Sequence, residues 1–92
     1  MPDADLRKRL WERSFPERLP VRAVAFDVLA EQLALSGGNI KNIAVGAAFL
    51  AASDGGVVTP EIILRAARRE LDKLGRPASL SEADLAPRIG AR

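Results

Sequence analysis

The stretch Ser36-Gly37-Gly38-Asn39-Ile40-Lys41-Asn42 concentrates more chemistry than any other part of this chain. Two adjacent glycines allow backbone to come close to a ligand. A serine followed by Gly-Gly-Asn is a helix cap, its hydroxyl set to accept from the amides two and three residues on. The free amides of a helix start attract phosphate or another anion. Lys41, one turn in, adds a positive charge. The plainer reading is a tight helix–helix corner with Lys41 as a solvated charge, and spacing alone favours it. A second basic set, Arg65, Arg68, Arg69, Lys73 and Arg76, has the density of a phosphate-contacting or partner-facing surface. Its plainer reading is a solvated helix face, with Glu61 beside Arg65 and with Glu70 and Asp72 interrupting the charge. No aromatic residue is interleaved, which counts against single-strand nucleic acid. Arg7, Lys8, Arg9 and Arg13 form a third set of the same kind. Trp11, the only tryptophan, reads as a core anchor.

What is missing narrows the chemistry. Cysteine, histidine and tyrosine are absent. That excludes disulfides, the usual zinc sites, thiol nucleophiles and histidine bases. An independent enzyme built from the remaining groups is a poor expectation. The 14 basic and 12 acidic residues leave a net charge of +2, too small to argue for nucleic acid. Ninety-two residues, 48% of them apolar, suffice for one small domain. The longest uncharged run, Asn42 to Ser53, is 12 residues, short of the roughly 20 a membrane helix needs. Asp3 and Asp5 with no apolar region behind them do not make a secretory signal. A cytoplasmic protein without a membrane partner is the expectation.

Four helices must position these groups. Residues 3–14 form the first, with Asp3 or Asp5 as cap and Leu6, Leu10, Trp11 and Ser14 on one side. Phe15-Pro16 ends it, because a residue before proline leaves the α region. Leu19 and Val21 anchor the connecting loop. Residues 24–35 form the second, with Phe26, Leu29, Ala30 and Leu33 inward, and Ser36-Gly37-Gly38 supplying the backbone angles that end it. The third starts at the Ser36 cap and runs to about Ser53. It is apolar almost all round, which predicts a buried central helix. The fourth opens at Thr59-Pro60-Glu61, carries Ile63, Ala67, Leu71 and Leu74 at steps of three to four, and stops at Gly75 and Pro77. The opposite side carries Arg65, Arg68, Arg69, Glu70, Asp72 and Lys73. Residues 77–92 read as a mostly flexible tail, with one capping-box turn at Ser81 to Asp84. The fold class expected is all-α, a small four-helix bundle.

LSGGNIKNIAVGAAFLAA, a short loop, then VTPEIILRAARRELDKLGR resembles the C-terminal helical lid of AAA+ ATPases. The upstream PDADLRKRLWERSFPERLP resembles the start of that lid. The match covers residues 2–76, and SGGNIKN, at the sensor-2 position, is its most specific part. The resemblance implies a bundle of the AAA+ lid type over residues 1–76, placed after a large α/β domain of the same parent chain. ATP, with Mg²⁺, would lie between the two. Gly37 and Gly38 would face the nucleotide, Leu10 and Ser14 would flank the adenine, and Lys41 would take the sensor-2 place near the γ-phosphate. Many such positions hold Arg, whose planar fork Lys lacks. The lid would turn on a hinge near residues 1–3, and its outer face, including Arg65, Arg68, Arg69 and Lys73, would meet the neighbouring subunit of a ring, a hexamer by analogy. GGNIKN is also similar to ATPases that accompany phage-tail-like contractile injection systems.

No G-x-x-x-x-G-K-[ST] loop, acidic metal-binding strand or arginine-finger segment lies in these residues. The expectation is therefore a domain of a longer ATPase that alone neither hydrolyses ATP nor holds it tightly. The protein substrate is left open. The alternative is a stand-alone helical DNA-binding or adaptor domain, motivated by the turn at Gly37-Gly38 and the fourth-helix arginines. A third helix so apolar is a poor groove reader. A protein-interaction bundle without a ligand is the blandest reading.

Overall fold

A computed structural model describes residues 3–75, and the expected tail at 77–92 lies outside them. The described residues form four helices and no strand, so the chain is all-α. The first helix, α1, is Ala4–Ser14. Asp3 caps it, accepting from the Leu6 amide at 2.9 Å. Phe15, before Pro16, is extended and stops it. Trp11 is fully buried. Its indole Nε1 has no partner among the described residues, so the buried ring outweighs an unmet donor. Leu6 lies largely outside, whereas Arg7 is half-buried and donates from Nε to the Ala30 carbonyl at 2.7 Å. The inward side of α1 is thus turned toward Arg7, Leu10, Trp11 and Ser14, not Leu6.

The second helix, α2, is Phe26–Gln32, shorter at both ends than residues 24–35. At its start Ala23 has a positive φ of 61° and Ala25 has no side-chain cap to offer. At its end Leu33 and Leu35 are both buried. Residues two apart share a side only in extended chain, so Leu33 leaves the helix with ψ near 95°. Phe15 and Phe26 meet with ring centroids 6.0 Å apart, tilted at 50°. Before α2, the loop is stitched to the chain ahead of the last helix. Val21 and Val58 form an isolated parallel bridge. The Arg22 amide donates to the Val58 carbonyl at 2.8 Å, and the Val58 amide to the Pro20 carbonyl at 2.9 Å. Leu19 and Val21 pack on the core as anchors.

The third helix, α3, is Gly37–Ser53, capped by Ser36. It ends where the Gly56 amide reaches back to the Ala51 carbonyl at 2.7 Å, with Gly55 and Gly56 at positive φ. The fourth, α4, is Pro60–Lys73, capped by Thr59, whose Oγ1 accepts from the Ile62 amide at 3.3 Å. Gly75, at φ 69°, follows it. α3 packs on both α1 and α4, and α1 packs on α2, so α1 and α3 are the inner two of the four helices. Alanines 44, 47, 51, 66 and 67 are buried in this core.

One expectation about α3 is corrected. Its apolar residues do not make it buried all round. Ile40, Ile43, Ala44, Ala47 and Ala51 form one buried stripe. Lys41, Val45, Phe49 and Ala52, at steps of three and four, are exposed, Val45 at 58% and Phe49 at 74%. The three-helix stack covers only the sides of α3 that α1 and α4 reach.

Candidate functional site

Gly37 and Gly38 are not turn residues. Both lie in the first turn of α3, and neither has a positive φ. What their missing side chains provide is access. A Cβ on Gly37 would sit 3.7 Å from Leu10 Cδ1, and one on Gly38 would find only Ser36 Oγ, at 3.9 Å. Leu10 of α1 therefore rests against the start of α3, and the backbone at Gly38 is open to solvent. Ser14 follows one turn beyond Leu10, half-buried, and its hydroxyl donates to the Leu10 carbonyl. Helix periodicity puts Leu10 and Ser14 on one side of α1.

The amides of this turn are unequal. The Asn39 amide donates to Ser36 Oγ at 3.2 Å, and the Ile40 amide to the Ser36 carbonyl at 3.0 Å. The Gly37 and Gly38 amides have no acceptor among the described residues. Lys41, on the next turn, is exposed and makes no ion pair among them. Two open N–H groups, a helix N-terminus and an unmatched ammonium make a positive platform. Leu10 supplies its apolar edge.

The two asparagines of the same motif both reach Glu70 of α4. Asn39 Nδ2 donates to Glu70 Oε2 at 2.9 Å, and Asn42 Nδ2 donates to the same oxygen at 3.2 Å. Lys73 Nζ stands 3.7 Å from Oε1. Glu70 is only 6% exposed, the one charged residue in the described core. The amides of Asn39 and Asn42, with Lys73 behind them, hold its carboxyl below the usual carboxylate range, against the opposing effect of burial. Its place among arginines suggests a solvated charge on the fourth helix. The structure moves it into the interface with α3. The signal was its spacing: seven residues after Ile63 and three after Ala67, it falls on the apolar stripe of α4.

The arginine face stands apart from this platform. Arg65 is exposed and paired with Glu61 at 2.7 Å, and Arg68 and Arg69 are exposed. Arg69 and Lys73 rim a cleft of about 150 Å³ floored by Gly46, Leu50 and Ala66. A wider, open depression of about 490 Å³ lies between Lys8 and Glu12 of α1 and the segment Val24 to Val28. Neither cleft includes Leu10, Ser14, Gly37, Gly38 or Lys41. Among the described residues no group of three or more Asp or Glu gathers to hold a metal. No described helix is long and apolar enough to cross a membrane. Comparison with known proteins gives no match to this chain, from family models, curated proteins or solved structures.

Proposed function

We propose that this chain is the helical lid of an AAA+ ATPase, closing over ATP bound at an α/β domain of the same parent and coupling hydrolysis to subunit motion in a cytoplasmic ring. The observation that carries the reading is the meeting of Leu10 with Gly37 at the start of α3, where the Gly37 and Gly38 amides have no acceptor among the described residues and exposed Lys41 follows on the next turn. An open half-site of this kind suits a ligand sandwiched by a second domain. In that role Leu10 and Ser14 flank the base, the glycine backbone faces the ribose side, and Lys41 approaches the terminal phosphate as a point charge. Mg²⁺ and the phosphate cradle belong to the α/β domain. The lid alone then binds nucleotide weakly, since one charged contact contributes only about 1.5–3 kcal/mol.

The mechanism is positional. ATP and ADP differ at the phosphate nearest Lys41, so they stabilise lid closure unequally. That difference in contact energy is what shifts the equilibrium between open and closed states. The arginine face, with Arg65, Arg68, Arg69 and Lys73, is then available to a neighbouring subunit.

Lys41→Ala in the longer ATPase carrying this sequence tests the reading. Turnover should fall roughly tenfold or more, the loss expected for one charged hydrogen bond. The lid should stay folded, because Lys41 is exposed and unpaired among the described residues. Unchanged turnover would make Lys41 a surface charge and remove the reading. The DNA-binding alternative is disfavoured by the outer face of α3, where Val45 and Phe49 would meet a groove with a single cation beside them. Its separate signature would be DNA binding at low salt that weakens steeply as salt rises.

A further inference from the structure

We infer that Glu70 is a positioning residue for the nucleotide platform, holding the first turn of α3 through Asn39 and the Ser36 cap. The inference rests on the lid reading for its functional consequence and on geometry alone for its structural part.

A carboxylate is acceptor-only. Facing Glu70 Oε2, Asn39 must therefore turn its Nδ2 inward, at 2.9 Å. Its Oδ1 is then aimed the other way, where it receives the Ser36 hydroxyl at 2.7 Å. With that hydrogen committed, a lone pair of Ser36 Oγ is left to accept the Asn39 amide. Cap and carboxylate are thus the two ends of one chain of hydrogen bonds running from α4 to the N-terminus of α3. Asn42 binds the same carboxylate oxygen one turn further on, at 3.2 Å, which fixes the rotation of α3 about its axis as well as its start. The consequence falls on the neighbours. The Asn39 amide is used internally, and the Gly37 and Gly38 amides alone remain to be offered. Lys41, exposed and two residues after Asn39, falls by helix periodicity on a different side of α3 from the two asparagines. The other charged groups near Glu70 are Lys73, at 3.7 Å, and Arg69, which shares its cleft. Both sit on α4, so the neutral asparagines are what tie the carboxylate to α3.

Glu70→Leu and Glu70→Gln separate positioning from mere stability. Leucine suits an apolar-stripe position but leaves the Asn39 and Asn42 side-chain amides without their shared acceptor. Glutamine keeps an acceptor oxygen and the shape. In this chain, hydrogen exchange at the Asn39 amide should quicken roughly tenfold in Glu70→Leu and less in Glu70→Gln, the size expected for a weakened N-cap. Amides in the middle of α3 should quicken less than that of Asn39, which separates a loosened cap from a general loss of stability. In the longer ATPase, KM for ATP should rise roughly tenfold in Glu70→Leu, with partial recovery in Glu70→Gln. Unchanged exchange at Asn39 would overturn the inference outright. Faster exchange with unchanged KM, in an enzyme that Lys41→Ala does impair, would overturn its functional half. An ATPase indifferent to both Lys41→Ala and Glu70→Leu would instead overturn the lid reading, and with it the nucleotide role of Glu70, while faster exchange at Asn39 would keep its hold on the cap.

Discussion

At the residue scale, a carboxylate survives in an apolar interface only where donors meet it. Glu70 has two amide donors and an ammonium nearby. They favour its charged form, so its folded pKa lies below its unfolded one. The sign of the linkage follows. The stabilisation is complete above the ordinary glutamate value, near ~4.3, and is lost as pH falls through the lowered folded value. Acid titration of the melting temperature should therefore show the wild type losing ground to Glu70→Gln below about pH 4. Parallel curves for the two proteins would mean that the asparagines do not favour the ionised form. This was the part of the chain least legible from sequence. Nothing in the spacing gives Asn39 and Asn42 a partner, and Glu70 reads as solvated because it stands among arginines. Only the pairing of α3 with α4 shows that the three residues satisfy one another.

At the element scale, the capping chemistry was legible. Ser36 and Thr59 cap as their spacing implies, and Asp3 rather than Asp5 takes the first cap. Caps are local, so sequence carries them. The bounds of α2 were not legible, because tertiary demand for Leu33 and Leu35 in the core ends that helix early. The glycines split along the same line. Gly46 lies inside α3, where an added Cβ would make an ordinary contact with Ala66 Cβ at 3.6 Å. Gly56 lies at φ 76°, which L-residues avoid. Gly46→Ala should therefore stabilise by about 0.5–1 kcal/mol through helix propensity. Gly56→Ala should destabilise by about 1 kcal/mol or more. Thermal melts of the two variants should move in opposite directions, by roughly 4–8 °C per kcal/mol in a domain of this size. A fall for Gly46→Ala would show that α3 and α4 are closer than 3.6 Å allows.

At the scale of the whole molecule, stability rests on a core too small for redundancy. A domain of this size is stable by about 0.05–0.15 kcal/mol per residue, which is about 4–11 kcal/mol over the 73 described residues. Removing a buried tryptophan side chain costs about 3–5 kcal/mol. Trp11 is the largest fully buried side chain, and it belongs to α1, the helix that joins α2 to α3. Trp11→Ala should therefore consume much of the total and leave α1 and α2 poorly attached. Phe49 has an aromatic ring of comparable chemistry but is 74% exposed on the face of α3 that no described helix covers. Phe49→Gln should shift folding free energy by no more than about 0.5 kcal/mol. Urea melts followed by circular dichroism measure both. A sharply lowered midpoint for Trp11→Ala beside an unmoved one for Phe49→Gln is the expected pair, and a large loss for Phe49→Gln would show that the outer face of α3 belongs to the core after all.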